Sequence, residues 1–69
     1  MTIIVNGAPR ETEAATLAGL LDELRAREGL SIEAVATAVN GVFAPAAARA
    51  STPLKERDAV EILSPRQGG

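Results

Sequence analysis

Leu17, Leu20, Leu21 and Leu24 fall at i, i+3, i+4 and i+7, the apolar stripe of one amphipathic helix. Thr16 stands where an N-cap hydroxyl belongs, and Gly29 where a left-handed residue commonly ends a helix. Arg25 and Arg27 lie in the last turns, where positive charge suits the helix dipole. The spacing predicts a helix from Leu17 to just before Gly29. Gly19 costs about 1 kcal/mol there relative to alanine, and the expectation is that it admits close approach to a sheet. The rest of the chain must then pack on this one helix.

That remainder reads as strands. Ile3, Ile4 and Val5 are β-branched, and Asn6-Gly7 suits the positive φ of a tight hairpin turn. Pro9 limits where pairing resumes, so Arg10 to Glu13 is the expected return strand, short and charged as an edge should be. From Ser31 the chain reads as a strand, with Val35, Thr37 and Val39 on one face and Ala36 and Ala38 on the other. A second Asn-Gly at 40–41 turns it into a partner strand at Val42 and Phe43, which Pro45 ends. An irregular connection follows, with a helical turn at Ala46 to Ala50 and Leu54 returning to the core. In the last strand Val60 and Ile62 share one face, and Glu61 and Leu63 the other. Pro65 has no N–H for a ladder, so that strand finishes by Ser64.

Composition limits what such a chain can do. Of 32 hydrophobic residues among 69, 14 are alanine, which leaves 17 Leu, Ile, Val and Phe and Met1 to build a core. That suffices for one two-layer α+β domain, residues 1–64, and not for a second. There is no His, Cys, Trp or Tyr, which removes the commonest acid–base residue, thiolate chemistry and most transition-metal sites. A pair of carboxylates would need a pocket that so short a chain has little room to form. The expectation is that this is not an enzyme and that it binds no metal or cofactor of its own. A net charge of −2 with scattered Lys and Arg argues against nucleic acid. No stretch approaches the roughly 20 apolar residues of a membrane span, and nothing reads as a signal peptide. A cytoplasmic protein, monomeric when free, is the expectation.

The end of the sequence, Ser64-Pro65-Arg66-Gln67-Gly68-Gly69, offers no apolar residue to bury. It is either a frayed end or a tail whose carboxylate does the work. Together with the elements above it carries a resemblance over almost the whole chain. The residues are V-N-G at Val5 to Gly7, T-L-A-x-L-L-x-x-L from Thr16 to Leu24 and V-A-x-A-V-N-G from Val35 to Gly41. To these add Pro45, D-x-V-E-I from Asp58 to Ile62, and Gly68-Gly69. In this combination the chain resembles the ThiS/MoaD-type sulfur carriers of the ubiquitin-like β-grasp fold, and most of all their thiamine-pathway branch. The fold that this implies is a small mixed sheet on one main helix, with residues 65–69 as a flexible tail.

The resemblance implies that a ThiF-like adenylating enzyme uses ATP to activate the Gly69 carboxylate. A sulfur donor such as a cysteine desulfurase then supplies the sulfur of a thiocarboxylate, which passes to a thiazole synthase. Gly68 and Gln67 would thread the tail into a partner, and six extended residues reach about 20 Å. An α-carboxyl, with a pKa of about 3.3–3.7, is ionised at neutral pH and able to attack phosphorus. Leu63 and Arg66 at the tail's root are candidate docking residues. Phe43, the one aromatic, is another, although a lone Phe is more often core. Two positions depart from the family pattern. Arg57-Asp58 stands where Gly-Asp is common, and because arginine disfavours positive φ the turn there is expected to be of a type that does not need it. Gln67 stands where a third glycine often precedes the final pair. A molybdopterin synthase small subunit, a carrier for another pathway and a ubiquitin-like protein modifier remain the alternatives.

Overall fold

A computed structural model of the chain describes residues 1–64. It has five strands in the order β2-β1-β5-β3-β4 and one helix. The strands are β1 Thr2–Val5, β2 Ala8–Glu11, β3 Ala36–Val39, β4 Val42–Ala44 and β5 Ala59–Leu63; the helix, α1, is Leu17–Glu28. β1 runs parallel to β5, and every other pairing is antiparallel. The last strand in sequence is therefore the middle of the sheet.

α1 starts and stops where its caps require. The Thr16 hydroxyl accepts from the Gly19 N–H at 3.2 Å, and Gly29, at φ 73°, donates its N–H to the Arg25 carbonyl at 3.0 Å. All four leucines of the stripe are buried, with Ile3, Ala44, Leu54 and Val60, between the helix and one face of the sheet. Leu54 arrives because residues 52–54 pair with the approach to α1: the Leu17 N–H donates to the Thr52 carbonyl and the Leu54 N–H to that of Ala15, each at 2.9 Å. Gly19 admits something other than the sheet. A Cβ there would meet the Ala14 Cβ at 3.2 Å, so the glycine makes room for the loop that enters the helix.

Both Asn-Gly turns have positive φ at both residues, 50° and 85° at Asn6-Gly7 and 51° and 83° at Asn40-Gly41. That is the two-residue turn whose twist matches a hairpin. The first hairpin closes more tightly than the proline suggested. The return strand begins at Ala8, and Pro9 lies inside it opposite Ile4. Ile4 sends its N–H the other way, to the Asp58 carbonyl at 2.9 Å, so this position of the edge strand needs no donor.

The stretch before β3 also differs from the sequence reading. Ile32–Ala34 form a 3₁₀ turn, and the regular strand starts only at Ala36. The cause lies elsewhere in the chain, in Arg49. Its side chain is buried and donates to the carbonyls of Val35 at 2.7 Å and Ile32 at 3.0 Å, and to the Thr37 hydroxyl at 3.3 Å. Carbonyls turned toward a guanidinium are not available to a strand partner. Arg49 itself sits in a second 3₁₀ segment, Ala46–Ser51, where the expected helical turn lies.

Arg57 overturns a third expectation: it has φ 68°, the left-handed conformation that arginine was expected to avoid. The Asp58 N–H donates to the Lys55 carbonyl at 3.0 Å, closing a tight turn with Arg57 at its third position. Tertiary contacts hold it there. The Arg57 N–H donates to the Thr2 carbonyl at 2.6 Å, and the Thr2 N–H to the Glu56 carboxylate at 3.1 Å. These bonds tie the turn to β1 and override the residue's own preference.

Candidate functional site

Helix α1 covers one face of the sheet, and among the described residues no helix covers the other. Register assigns residues to that open face. Leu63 lies opposite Ala36, and Ala38 lies between Glu61 on one side and Phe43 on the other. Ala59, on the same face of β5, lies beside Ile4 of β1. Leu63 is 69% exposed and Phe43 65%, so the lone Phe is not in the core. The reason is local. Ala44 takes the inward position opposite Thr37, and the alternation of a strand turns Phe43 outward.

The two apolar side chains stand on strands two apart, about 10 Å across the sheet, with the small side chains of Ala36 and Ala38 as a floor between them. Glu61 is the charged group nearest this patch on the central strand. A shallow depression beside Leu63 is lined by Asn6, Gly7 and Glu61. The sequence reading thus named two protruding residues of this surface, Leu63 and Phe43, and the structure puts both on one face. Arg66, Gln67, Gly68 and Gly69, and with them the tail expected from residues 65–69, lie outside the described residues.

Two side chains that the sequence identified only as turn residues hold β5, the last of the described strands. At its start, Asn40 Oδ1 accepts from the Ala59 N–H at 2.9 Å, and its Nδ2 donates to Asp58 Oδ1 at 3.0 Å. At its end, Asn6 Oδ1 accepts from the Ile62 N–H at 2.8 Å, and its Nδ2 donates to the Ile62 carbonyl at 3.2 Å. The Asn40 amide, followed by the Lys55 N–H at 2.8 Å, holds the Asp58 carboxyl below its ordinary pKa, against a smaller opposing effect of burial. The signal available in the sequence was the choice of Asn at both turns. Asp and Gly also tolerate such turns, but neither side chain can both donate and accept.

Among the described residues no group of three or more His, Cys, Asp or Glu comes together as metal ligands would. No helix there is long and apolar enough to cross a membrane. What the geometry offers is a presentation surface: an open face with two apolar protrusions, beside a central strand clipped at both ends and leading out of the sheet.

Comparison with known proteins gives this surface a context. A model of the ThiS family matches residues 3–69. A crystal structure of the thiamine biosynthesis protein (ThiS) from Geobacter metallireducens superposes with a TM-score of 0.77 at 32% identity, covering 100% of both chains. A search of curated proteins gives no match. With a matching sheet and helix, and a family match over nearly its whole length, the chain belongs to the ThiS family of β-grasp sulfur carriers.

Proposed function

We propose that this protein carries sulfur on the carboxylate of Gly69 for the thiazole half of thiamine. One observation carries the reading: the family match runs through Gly68-Gly69 and not only over the folded part. The Geobacter metallireducens structure, named for thiamine biosynthesis and matched along its full length, favours that pathway.

In this reading the Gly69 carboxylate attacks the α-phosphorus of ATP within an activating enzyme, and pyrophosphate leaves. The outer sulfur of a donor protein's persulfide then displaces AMP from the acyl adenylate. A thiol cleaves the S–S bond of the resulting acyl disulfide, leaving with the donor sulfur as a disulfide. The product is a C-terminal thiocarboxylate, which a thiazole synthase consumes. The carrier supplies no acid or base to these steps. Its contribution is an ionised carboxylate on two residues without Cβ, able to enter a narrow channel, and a rigid body that docks outside it. The open face bearing Leu63 and Phe43 is the docking surface, since aromatic and aliphatic protrusions on a small-residue floor suit a partner's apolar pockets.

The test is the intact mass of protein recovered from its native host, at a resolution that separates oxygen from sulfur. A fraction heavier by one oxygen-to-sulfur exchange at Gly69 is expected. A variant lacking Gly68 and Gly69 should fold and melt as the wild type does and carry no sulfur. If wild-type protein incubated with ATP and the cell's activating enzyme yields neither adenylate nor thiocarboxylate, the reading is wrong. Adducts to lysine resistant to thiol and hydroxylamine would indicate a protein modifier instead. Stable association with a larger catalytic subunit would indicate molybdopterin synthase.

A further inference from the structure

The parallel pairing of β1 with β5 ends at Val5 and Val60, and the Asn6 N–H makes its last backbone bond, to the Val60 carbonyl at 2.9 Å. A parallel ladder would next bring a backbone carbonyl to the Ile62 N–H and, beyond it, a backbone N–H to the Ile62 carbonyl. Among the described residues no backbone does so, because the chain turns away at Asn6-Gly7 into β2. The Asn6 side chain fills the gap. Its carboxamide has the donor and acceptor of a peptide group, and it meets both polar groups of Ile62 at 2.8 and 3.2 Å. On the other side β5 still has β3, with Leu63 opposite Ala36. The side chain of Asn6 thus carries the β1 side of the ladder one step farther than its backbone, to the last residues before the tail.

We infer that Asn6 is a positioning residue. Its amide fixes the end of β5, the strand from which the carboxylate that is activated is presented. This rests on the carrier reading above, and it adds a residue that acts through the backbone of Ile62 and not through the apolar side chains of Leu63 and Phe43. Without the clip, β5 would be held at its end from one side only. The carboxylate would then be delivered to the activating enzyme over a wider range of directions. Orientation of reacting groups is the quantity affected, and a misplacement of about 1 Å can cost about 100-fold in rate.

Two substitutions separate the clip from the turn that contains it. Asn6→Gly keeps positive φ without strain and removes the amide. Asn6→Asp keeps an acceptor for the Ile62 N–H but sets a second oxygen against the Ile62 carbonyl. In Asn6→Gly the expected result is that the Ile62 amide exchanges about tenfold faster, as loss of an ordinary hydrogen bond implies. In Asn6→Asp, which keeps the acceptor, the acceleration is smaller, and in both the melting transition stays cooperative. The order parameter of the Ser64 amide should fall from the rigid value of about 0.85. In Asn6→Asp, protection of Ile62 should partly return as the pH drops through about 4, where the substituted carboxyl gains a proton it can donate.

With saturating activating enzyme, the rate constant of adenylation should fall about tenfold or more. The half-saturating concentration should stay within about twofold, because Leu63 and Phe43 are unchanged. A merely structural role would move both or neither. Wild-type exchange at Ile62 in Asn6→Gly overturns the inference, and so does a fast-exchanging Ile62 with an unchanged adenylation rate constant. If the wild type itself is not adenylated, it is the carrier reading that fails. The Ile62 and Ser64 measurements then decide alone whether Asn6 fixes the end of the strand.

Discussion

Arg57 holds φ 68° at a place where a glycine would rest without strain. For a residue with a Cβ, the left-handed region costs about 1–2 kcal/mol, and glycine's extra backbone entropy returns only part of that difference. Replacing Arg57 by Gly should therefore give a more stable protein than replacing it by Ala, by about 1 kcal/mol. In a domain of this size that is about 4–8 °C in melting temperature, readable by calorimetry on the two variants. Equal melting temperatures would mean that the bonds to Thr2 and Glu56 have relaxed the turn. The residue scale is also where sequence reading failed most visibly. Arginine's own preference argued against positive φ, and nothing nearby in sequence announces that Thr2, fifty-five positions earlier, anchors the turn. Arg49 is the same case: its three acceptors lie between Ile32 and Thr37 and come together only in the fold.

Elements were more legible. The helix could be placed to within a residue because its stripe, cap and stop are all local signals. The two hairpins were legible as turns from Asn-Gly alone. What local signals could not give was the neighbour of each turn. Asn6 and Asn40 bond to β5, and that contact exists only because β5 inserts between the two hairpins. The open face of the sheet is likewise a property of elements: Leu63 on β5 and Phe43 on β4 come to one face across Ala36 and Ala38. Leu63 is exposed, so Leu63→Asp should change folding stability by no more than about 0.5 kcal/mol. Its effect on docking should be larger, at least about tenfold in the half-saturating concentration for the activating enzyme, as loss of an apolar anchor at an interface implies. Titration of the enzyme with the variant checks this, and a wild-type concentration dependence would remove the open face from the docking surface.

For the molecule as a whole, the junction at Asp58 links the two hairpins to a carboxylate whose charge the fold favours. Its carboxylate accepts from Asn40 in one hairpin and from the Lys55 N–H, while the Asp58 carbonyl accepts from Ile4 in the other hairpin. These hydrogen bonds lower its pKa in the folded state relative to the unfolded chain. The sign follows directly. The stabilisation is fully present above the unfolded value, near 3.9, and is lost as pH falls through the lower folded value. Asp58→Asn should therefore destabilise the protein at neutral pH, and the gap between variant and wild type should narrow in acid below that range. Denaturant unfolding at a series of pH values measures the gap. A gap independent of pH would mean that the charge of Asp58 contributes nothing.

The central position of β5 also bears on the order in which the protein can form. Every sheet contact between the two hairpins runs through a strand made after both of them. During synthesis from the N-terminus, the earlier four strands can pair within their own hairpins but cannot become one sheet until Leu63 has emerged. The last of the described strands to be translated is then also the one that completes the sheet. A chain cut short before β5 keeps two hairpins and a helix with no strand to join them, so the sheet appears in one step, at the end of the described chain, and not by gradual growth.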